Sequence, residues 1–229
     1  MKKYGTNYGG YVFPSNLQLN KESKIYCFGV GEDISFDVEI AKATGANIHL
    51  FDFTPRAIEH VKLIQDVYDG KQTIQPNSRF GGGDKSYTQR ILTNKIKSSQ
   101  LILHPYGLGT ADTEVEMYYP ENPEHVSLSI NPKNKSKETM MVPVKSLQTI
   151  MKELNHTKID LLKLDIECLE LEVLDSLIKS NIRPRYLAVD FDSARIGNHL
   201  EAELIIQRLC RVGYRLFWFD SWDATLVFG

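Results

Sequence analysis

Lys24–Asp37 reads KIYCFGVGEDISFD, and the order of residue types in it decides the fold. Lys24–Phe28 is a short apolar run with strand character, and Gly29-Val30-Gly31 breaks it. Ile34, Phe36, Val38, Ile40 and Ala41 then open a pattern that reads as a helix. Strand, glycine turn and helix form the opening unit of a nucleotide-binding α/β sheet. Glycine serves there because the chain must turn tightly and let a ligand approach bare backbone.

The turn departs from the dinucleotide fingerprint. G-x-G-x-x-G needs glycine at position 34, where this chain has Ile34. Glu32 and Asp33 stand where the helix begins. A helix N-terminus attracts a pyrophosphate through its free N–H groups and its dipole. Two carboxylates there repel it and suit a cationic ligand without phosphate. S-adenosylmethionine, with a sulfonium and an ammonium, has that chemistry. The same residues also fit a plainer reading, a glycine turn of any α/β protein with two acids favoured at a helix start.

Working outward, 229 residues fit one α/β domain with a sizeable core. A net charge of −2 gives no reason to expect nucleic acid or an anionic membrane as partner. Lys2 and Lys3 are followed by no apolar run of secretory type, and no apolar stretch is long enough to span a bilayer. Cys27, Cys168 and Cys210 are odd in number, far apart and set in apolar surroundings. That argues against a disulfide framework or a zinc site and suits a reducing cytoplasm. Residues 1–23 carry Tyr4, Gly5, Tyr8, Gly9, Gly10 and Tyr11 without a sustained period. They read as an N-terminal arm packed on a domain at 24–229, with a lid over a ligand as the alternative.

Asn47–Phe51 (NIHLF) predicts the second strand, with Asp52 at its tip. An acid about 20 residues past the glycine turn can accept hydrogen bonds from both hydroxyls of a ribose. The alternative is that Asp52 caps the helix entered through Phe53, Thr54 and Pro55. Arg79–Asp84 carries three successive glycines and reads as a surface loop, or as a flap beside the site. Leu101–His104 predicts the third strand, followed by the turn Pro105-Tyr106-Gly107-Leu108-Gly109. Val115–Tyr119 and Val126–Ile130 suggest an extra hairpin, and Asn131–Lys137 a solvated basic loop.

Lys158–Glu172 (KIDLLKLDIECLELE) is the second informative stretch. Ile159, Leu161, Leu162 and Leu164 predict a buried strand with Asp165 at its C-terminal end. In a doubly wound sheet this strand lies beside the first, at the switch point where ligands bind. Asp165 is thereby placed opposite the glycine turn, as a base, a metal ligand or a contact for an ammonium group. Glu167 and Glu170 follow closely. Tyr186–Val189 predicts the fifth strand, with Asp190 and Asp192 at its end, and Glu201–Arg211 a helix. Tyr214–Phe219 and Ala224–Phe228 predict a closing antiparallel hairpin whose aromatics pack in the core. Strands alternating with helices, ended by such a hairpin, fit a Rossmann-like, mostly parallel class I methyltransferase sheet.

FGVGEDISFD, HLFDFTP, PYGLG, IDLLKLDIECLE and SWDATLVF, in that order, resemble the FkbM-type methyltransferase family over about Tyr26 to Phe228. The resemblance implies dependence on S-adenosylmethionine and methylation of a hydroxyl on a sugar, glycan or glycosylated metabolite. Carried over, the cofactor contacts fall on Gly29, Val30, Gly31, Asp33, Asp52, Phe53, Gly107, Leu108 and Asp165. One departure is Cys168, where the family usually has glycine. As a catalyst the chain needs a group to take the acceptor proton: Asp165 first, with Asp190 or His199 behind it. Asp165, Asp190 and Asp192 could instead hold Mg²⁺, a reading ranked below the metal-free one. The alternatives are a nicotinamide-dependent oxidoreductase, which Ile34 and the Glu32-Asp33 pair oppose, and a non-catalytic S-adenosylmethionine-binding protein. The loops Arg79–Arg90 and Pro120–Lys137 are where acceptor choice is expected to lie.

Overall fold

The structure is a computed structural model that describes residues 1–75, 80–122, 128–130, 135–192, 197, 199–220 and 222–229. The arm forms a short antiparallel hairpin, β1 (Lys2–Tyr4) and β2 (Tyr11–Phe13). The domain then alternates strand and helix: β3 (Ile25–Phe28), α1 (Ser35–Thr44), β4 (Ile48–Phe51), α2 (Pro55–Tyr68), α3 (Tyr87–Thr93) and β5 (Leu101–His104). An insertion follows with β6 (Gly107–Leu108), β7 (Thr113–Pro120) and β8 (Lys135–Lys145). The alternation resumes with α4 (Leu147–Glu153), β9 (Leu161–Leu164), α5 (Glu170–Lys179), β10 (Tyr186–Asp190) and α6 (His199–Arg211). The hairpin β11 (Tyr214–Asp220) and β12 (Asp223–Phe228) closes the chain.

Seven strands make one sheet in the order β11-β12-β10-β9-β3-β4-β5. β10, β9, β3, β4 and β5 pair in parallel, and β12 and β11 are antiparallel. The mostly parallel sheet with its antiparallel C-terminal strands is the one the sequence predicts. Neighbouring residues on each strand feed opposite layers. Tyr26, Phe28, Leu162, Leu164, Leu187 and Val189 pack into one core. Ile25, Cys27, Ile48, Leu50, Leu161 and Ala188 pack into the other. Burial on both faces is why these strands read as apolar runs rather than alternations. Chain order reverses between β3 and β9, so the cleft beyond their C-terminal ends is the switch point.

The arm is welded to the domain. Tyr4, Tyr11 and Phe13 are buried, and Phe13 stacks on Phe36 of α1 while Tyr11 meets it edge-on. Two expectations need correction, and a third is only partly covered by the described residues. Lys135–Lys137 does not continue a solvated loop; it starts β8, the middle strand of a separate sheet ordered β6-β8-β7. The lysines and Pro143 hid that strand, and β6 is so short that most of this edge of β8 tolerates a proline. Of the hairpin expected at Val126–Ile130, residues 126 and 127 lie outside the described residues, and Ser129 bridges Tyr118. Phe219 and Trp222 are exposed rather than packed in the core, because β11 is the outer edge of the sheet. No helix among the described residues is long and apolar enough to cross a membrane.

Candidate active site

Gly29 fixes how closely the tips of β3 and β9 approach. Its φ is +73°, and a Cβ there would lie 1.7 Å from the carbonyl oxygen of Asp165. Only glycine fits both the conformation and the space. The result is that Asp165 faces the glycine turn across the switch point. Its carboxylate oxygen Oδ2 is 3.4 Å from the ammonium of Lys163. Lys163 is buried at the face opposite Leu164 and also donates to the carbonyl oxygens of Gly29 at 2.6 Å and Phe28 at 3.4 Å. Burial works to lower the Lys163 pKa, but Asp165 and Asp37 outweigh it and hold the ammonium above its ordinary range. Asp37 is itself buried, and burial raises its carboxyl.

Asp52 shapes the turn from the other side. Oδ2 accepts the N–H groups of Val30 and Gly31 at 2.9 and 3.0 Å. Oδ1 accepts the N–H and hydroxyl of Thr54 at 2.8 and 2.7 Å. A carboxylate has about four acceptor positions, and these donors fill them. The carboxylate therefore both positions the glycine turn and stabilises the entry to α2, so a ribose hydroxyl would have to share it with the amides.

The expectation of two waiting carboxylates at the start of α1 is corrected. Glu32 is paired with Arg56 through both of its oxygens, at 2.6 and 3.3 Å. Asp33 accepts the Ser35 N–H and the Thr6 hydroxyl, while Thr6 N–H donates to the Ser35 hydroxyl. The start of α1 is thus already occupied by an internal carboxylate and by the arm. The carboxylates at this helix start are therefore engaged with internal partners rather than forming a bare anionic rim.

The cleft between these elements, counted out to the open solvent at its mouth, spans about 1030 Å³. Gly29, Val30, Gly31 and Asp33 line it from the turn, and Asp52 and Phe53 from the tip of β4. Gly107 and Leu108 line it from β6, where a Cβ on Gly107 would press on the Phe53 ring at 3.2 Å. Asp165 and Asp190 line it from β9 and β10. His199 does not join them: it begins α6 in the solvent. Asp192 is buried just past β10 and groups with Asp165 and Glu167 rather than with Asp190.

Sequence reasoning missed Lys163, although a lysine inside the apolar run IDLLKLD was the signal. It also missed Met117 and Val144 of the insertion, while Tyr8 and Gly9 of the arm read as a lid only in the alternative, and Leu128 falls in the loop expected to choose the acceptor; all five line the cleft. Nothing local marks those. Cys168 has φ +81°, after Glu167 at +55°, so the position favours glycine for its backbone conformation. Burial, with Glu170 next in effect, pushes the Cys168 thiol up to about 11, which leaves it unreactive at neutral pH.

Residues 6–216 match the family model described as the methyltransferase FkbM domain. Among solved structures, methyltransferase FkbM from Methylobacillus flagellatus KT aligns at 15% identity and a TM-score of 0.49. The alignment covers 93% of this chain and 45% of that one, so this chain spans less than half of that protein's length. No curated protein matches at a significant level.

Proposed function

The chain belongs to the FkbM methyltransferase family, and from that premise we propose that it binds S-adenosylmethionine and methylates a hydroxyl on a sugar, glycan or glycosylated metabolite. The observation that carries the cofactor assignment is the filled N-terminus of α1. Asp33 already accepts the Ser35 N–H where a dinucleotide would place its phosphates, which leaves a glycine-lined cleft suited to a nucleoside without a diphosphate. Asp165, Glu167 and Asp190 line the same cleft and favour a cationic ligand. The nicotinamide reading loses its anchor for the same reason.

When bound, S-adenosylmethionine supplies an activated methyl group and a neutral thioether as leaving group. The chain's own task is positioning and proton transfer. Gly29–Gly31 present bare backbone to the ligand, held in shape by Asp52 and Lys163. Phe53, Leu108 and Val144 give the cleft an apolar wall. Asp165 takes the acceptor proton as the oxygen–methyl bond forms. The test is methyl transfer from labelled S-adenosylmethionine to a panel of free and glycosidic hydroxyl acceptors. The proposal expects labelled ether product, lost in Asp165→Asn with cofactor affinity kept within a few-fold. Full turnover by Asp165→Asn would remove it from the mechanism, and label found only on nitrogen or carbon would overturn the acceptor assignment.

A further inference from the structure

Asp165, Glu167 and Asp192 each bring one carboxylate oxygen to within 4.8 Å of the others. Oxygens bound to one Mg²⁺-sized cation at about 2.0–2.1 Å lie within that separation of each other. Acids often cluster without an ion, so the neighbour behind them matters. Glu170 is completely buried, and its Oε2 has no hydrogen-bond partner among the described residues. Its Oε1 accepts the Cys168 N–H. The carboxylates acting on Glu170 are Asp192 and Asp165, two members of the cluster, so Glu170 lies beside that knot of charge. A buried oxygen left without a donor calls for a partner, and an ion-bound water at this cluster would supply one.

We propose that Asp165, Glu167 and Asp192 bind a hard divalent cation, Mg²⁺ or Mn²⁺, at the floor of the cleft, with Glu170 accepting from its water. The donor set is all carboxylate oxygen, with no imidazole or thiolate, which selects such ions over Zn²⁺ or Cu²⁺. Three protein oxygens leave the other positions of an octahedron for water and an acceptor hydroxyl. Lys163 faces Asp165 at 3.4 Å and holds that carboxylate in place from behind. Ser129 donates its hydroxyl to the Glu167 carbonyl and fixes the turn that carries the second ligand.

The ion's part in the reaction rests on the methyl-transfer reading; its binding does not. A cation touching the acceptor hydroxyl lowers that hydroxyl's pKa. With the ion bound, Asp165 serves as ligand instead of taking the proton directly as in the metal-free route above, and Asp190, lining the same cleft, receives it. The O–H bond breaks towards Asp190, the O–CH₃ bond forms as the S–CH₃ bond breaks, and sulfur keeps the electron pair as a thioether.

The experiment is a Mn²⁺ titration of the whole chain followed by electron paramagnetic resonance, with circular dichroism to confirm folding. One Mn²⁺ per chain, displaced by Mg²⁺, is expected. Asp192→Asn and Glu167→Gln are each expected to weaken it at least 10-fold, as loss of a ligand should. Absence of Mn²⁺ binding to the wild-type chain at about 1 mM, an affinity reached even by weak sites of this kind, overturns the proposal. So does wild-type affinity in both folded variants. A parallel S-adenosylmethionine titration separates the two claims. Mn²⁺ bound without affinity for S-adenosylmethionine sustains the ion site and sinks the methyl-transfer reading. The reverse pattern removes the ion and leaves methyl transfer standing.

Discussion

Alanine in place of Gly29 would put a methyl group 1.7 Å from the Asp165 carbonyl oxygen and 2.7 Å from its carbonyl carbon. Real Cβ contacts essentially never fall under 3.0 Å, so the tips of β3 and β9 must part by more than an ångström. The φ of +73° adds about 1 kcal/mol for any L side chain. The separation also strains the Gly29 N–H bond to the Phe51 carbonyl and the Lys163 bond to the Gly29 carbonyl. Each is worth about 1–2 kcal/mol. A loss of about 4 kcal/mol follows, within the range that only a named structural fault produces. Gly70→Ala is the control, since its φ is +77° and nothing lies within 4 Å of the added methyl. It is expected to cost only the conformational share, about 1 kcal/mol. Urea denaturation of both variants, followed by circular dichroism, reads the difference. Equal losses in the two would refute the close approach of β3 and β9 as the feature that sets the site.

Lys163→Met strips the buried Asp37 and the half-exposed Asp165 of their shared cation and is expected to destabilise by about 3–5 kcal/mol in chemical denaturation; a loss under 1 kcal/mol would show that Lys163 is a passenger. Asp52→Ala leaves the Val30 and Gly31 amides without their acceptor, and a loss of about 3 kcal/mol is expected together with at least 10-fold weaker cofactor binding; unchanged affinity would free the turn from Asp52. Burial, then the neighbouring His104 and His156, pushes His49 down to about 4, and burial lowers His104 and His156 as well. These rings take protons at about 6.5 when unfolded but resist them when folded. Stability is therefore full above pH 6.5 and falls as pH drops towards 4, for His49 by at most about 1.4 kcal/mol per pH unit and less with solvent screening. Urea midpoints at pH 7, 6 and 5 should decline, and His49→Gln should flatten the decline; a midpoint constant over that range would contradict it.

The sheet was legible because its signals are local. Apolar runs buried on both faces, glycine after β3 and acids at the strand tips all lie within a few residues of one another. Gly29, Asp52 and Asp165 announced themselves in this way. Their partners did not. That Asp52 spends its oxygens on Val30, Gly31 and Thr54 follows from loop geometry that spacing does not encode. That Arg56 neutralises Glu32 depends on where α2 begins relative to the turn. Tyr8 reaches the cleft and Thr6 reaches Asp33 only because the arm folds back on α1, and β8 declares itself only through its pairing with β7. Residues that act alone are visible in a sequence, whereas residues that act through a distant neighbour are not.

The central claim is the cofactor, and calorimetric titration of the whole chain with S-adenosylmethionine, S-adenosylhomocysteine and NAD⁺, with and without Mg²⁺, tests it most directly. Micromolar binding of the first two, about −8 kcal/mol each, is expected. Heat from NAD⁺ is expected to be absent, since Asp33 already accepts the Ser35 N–H at the start of α1. Tight binding of NAD⁺, or no binding of either sulfur compound under both conditions, would contradict the account.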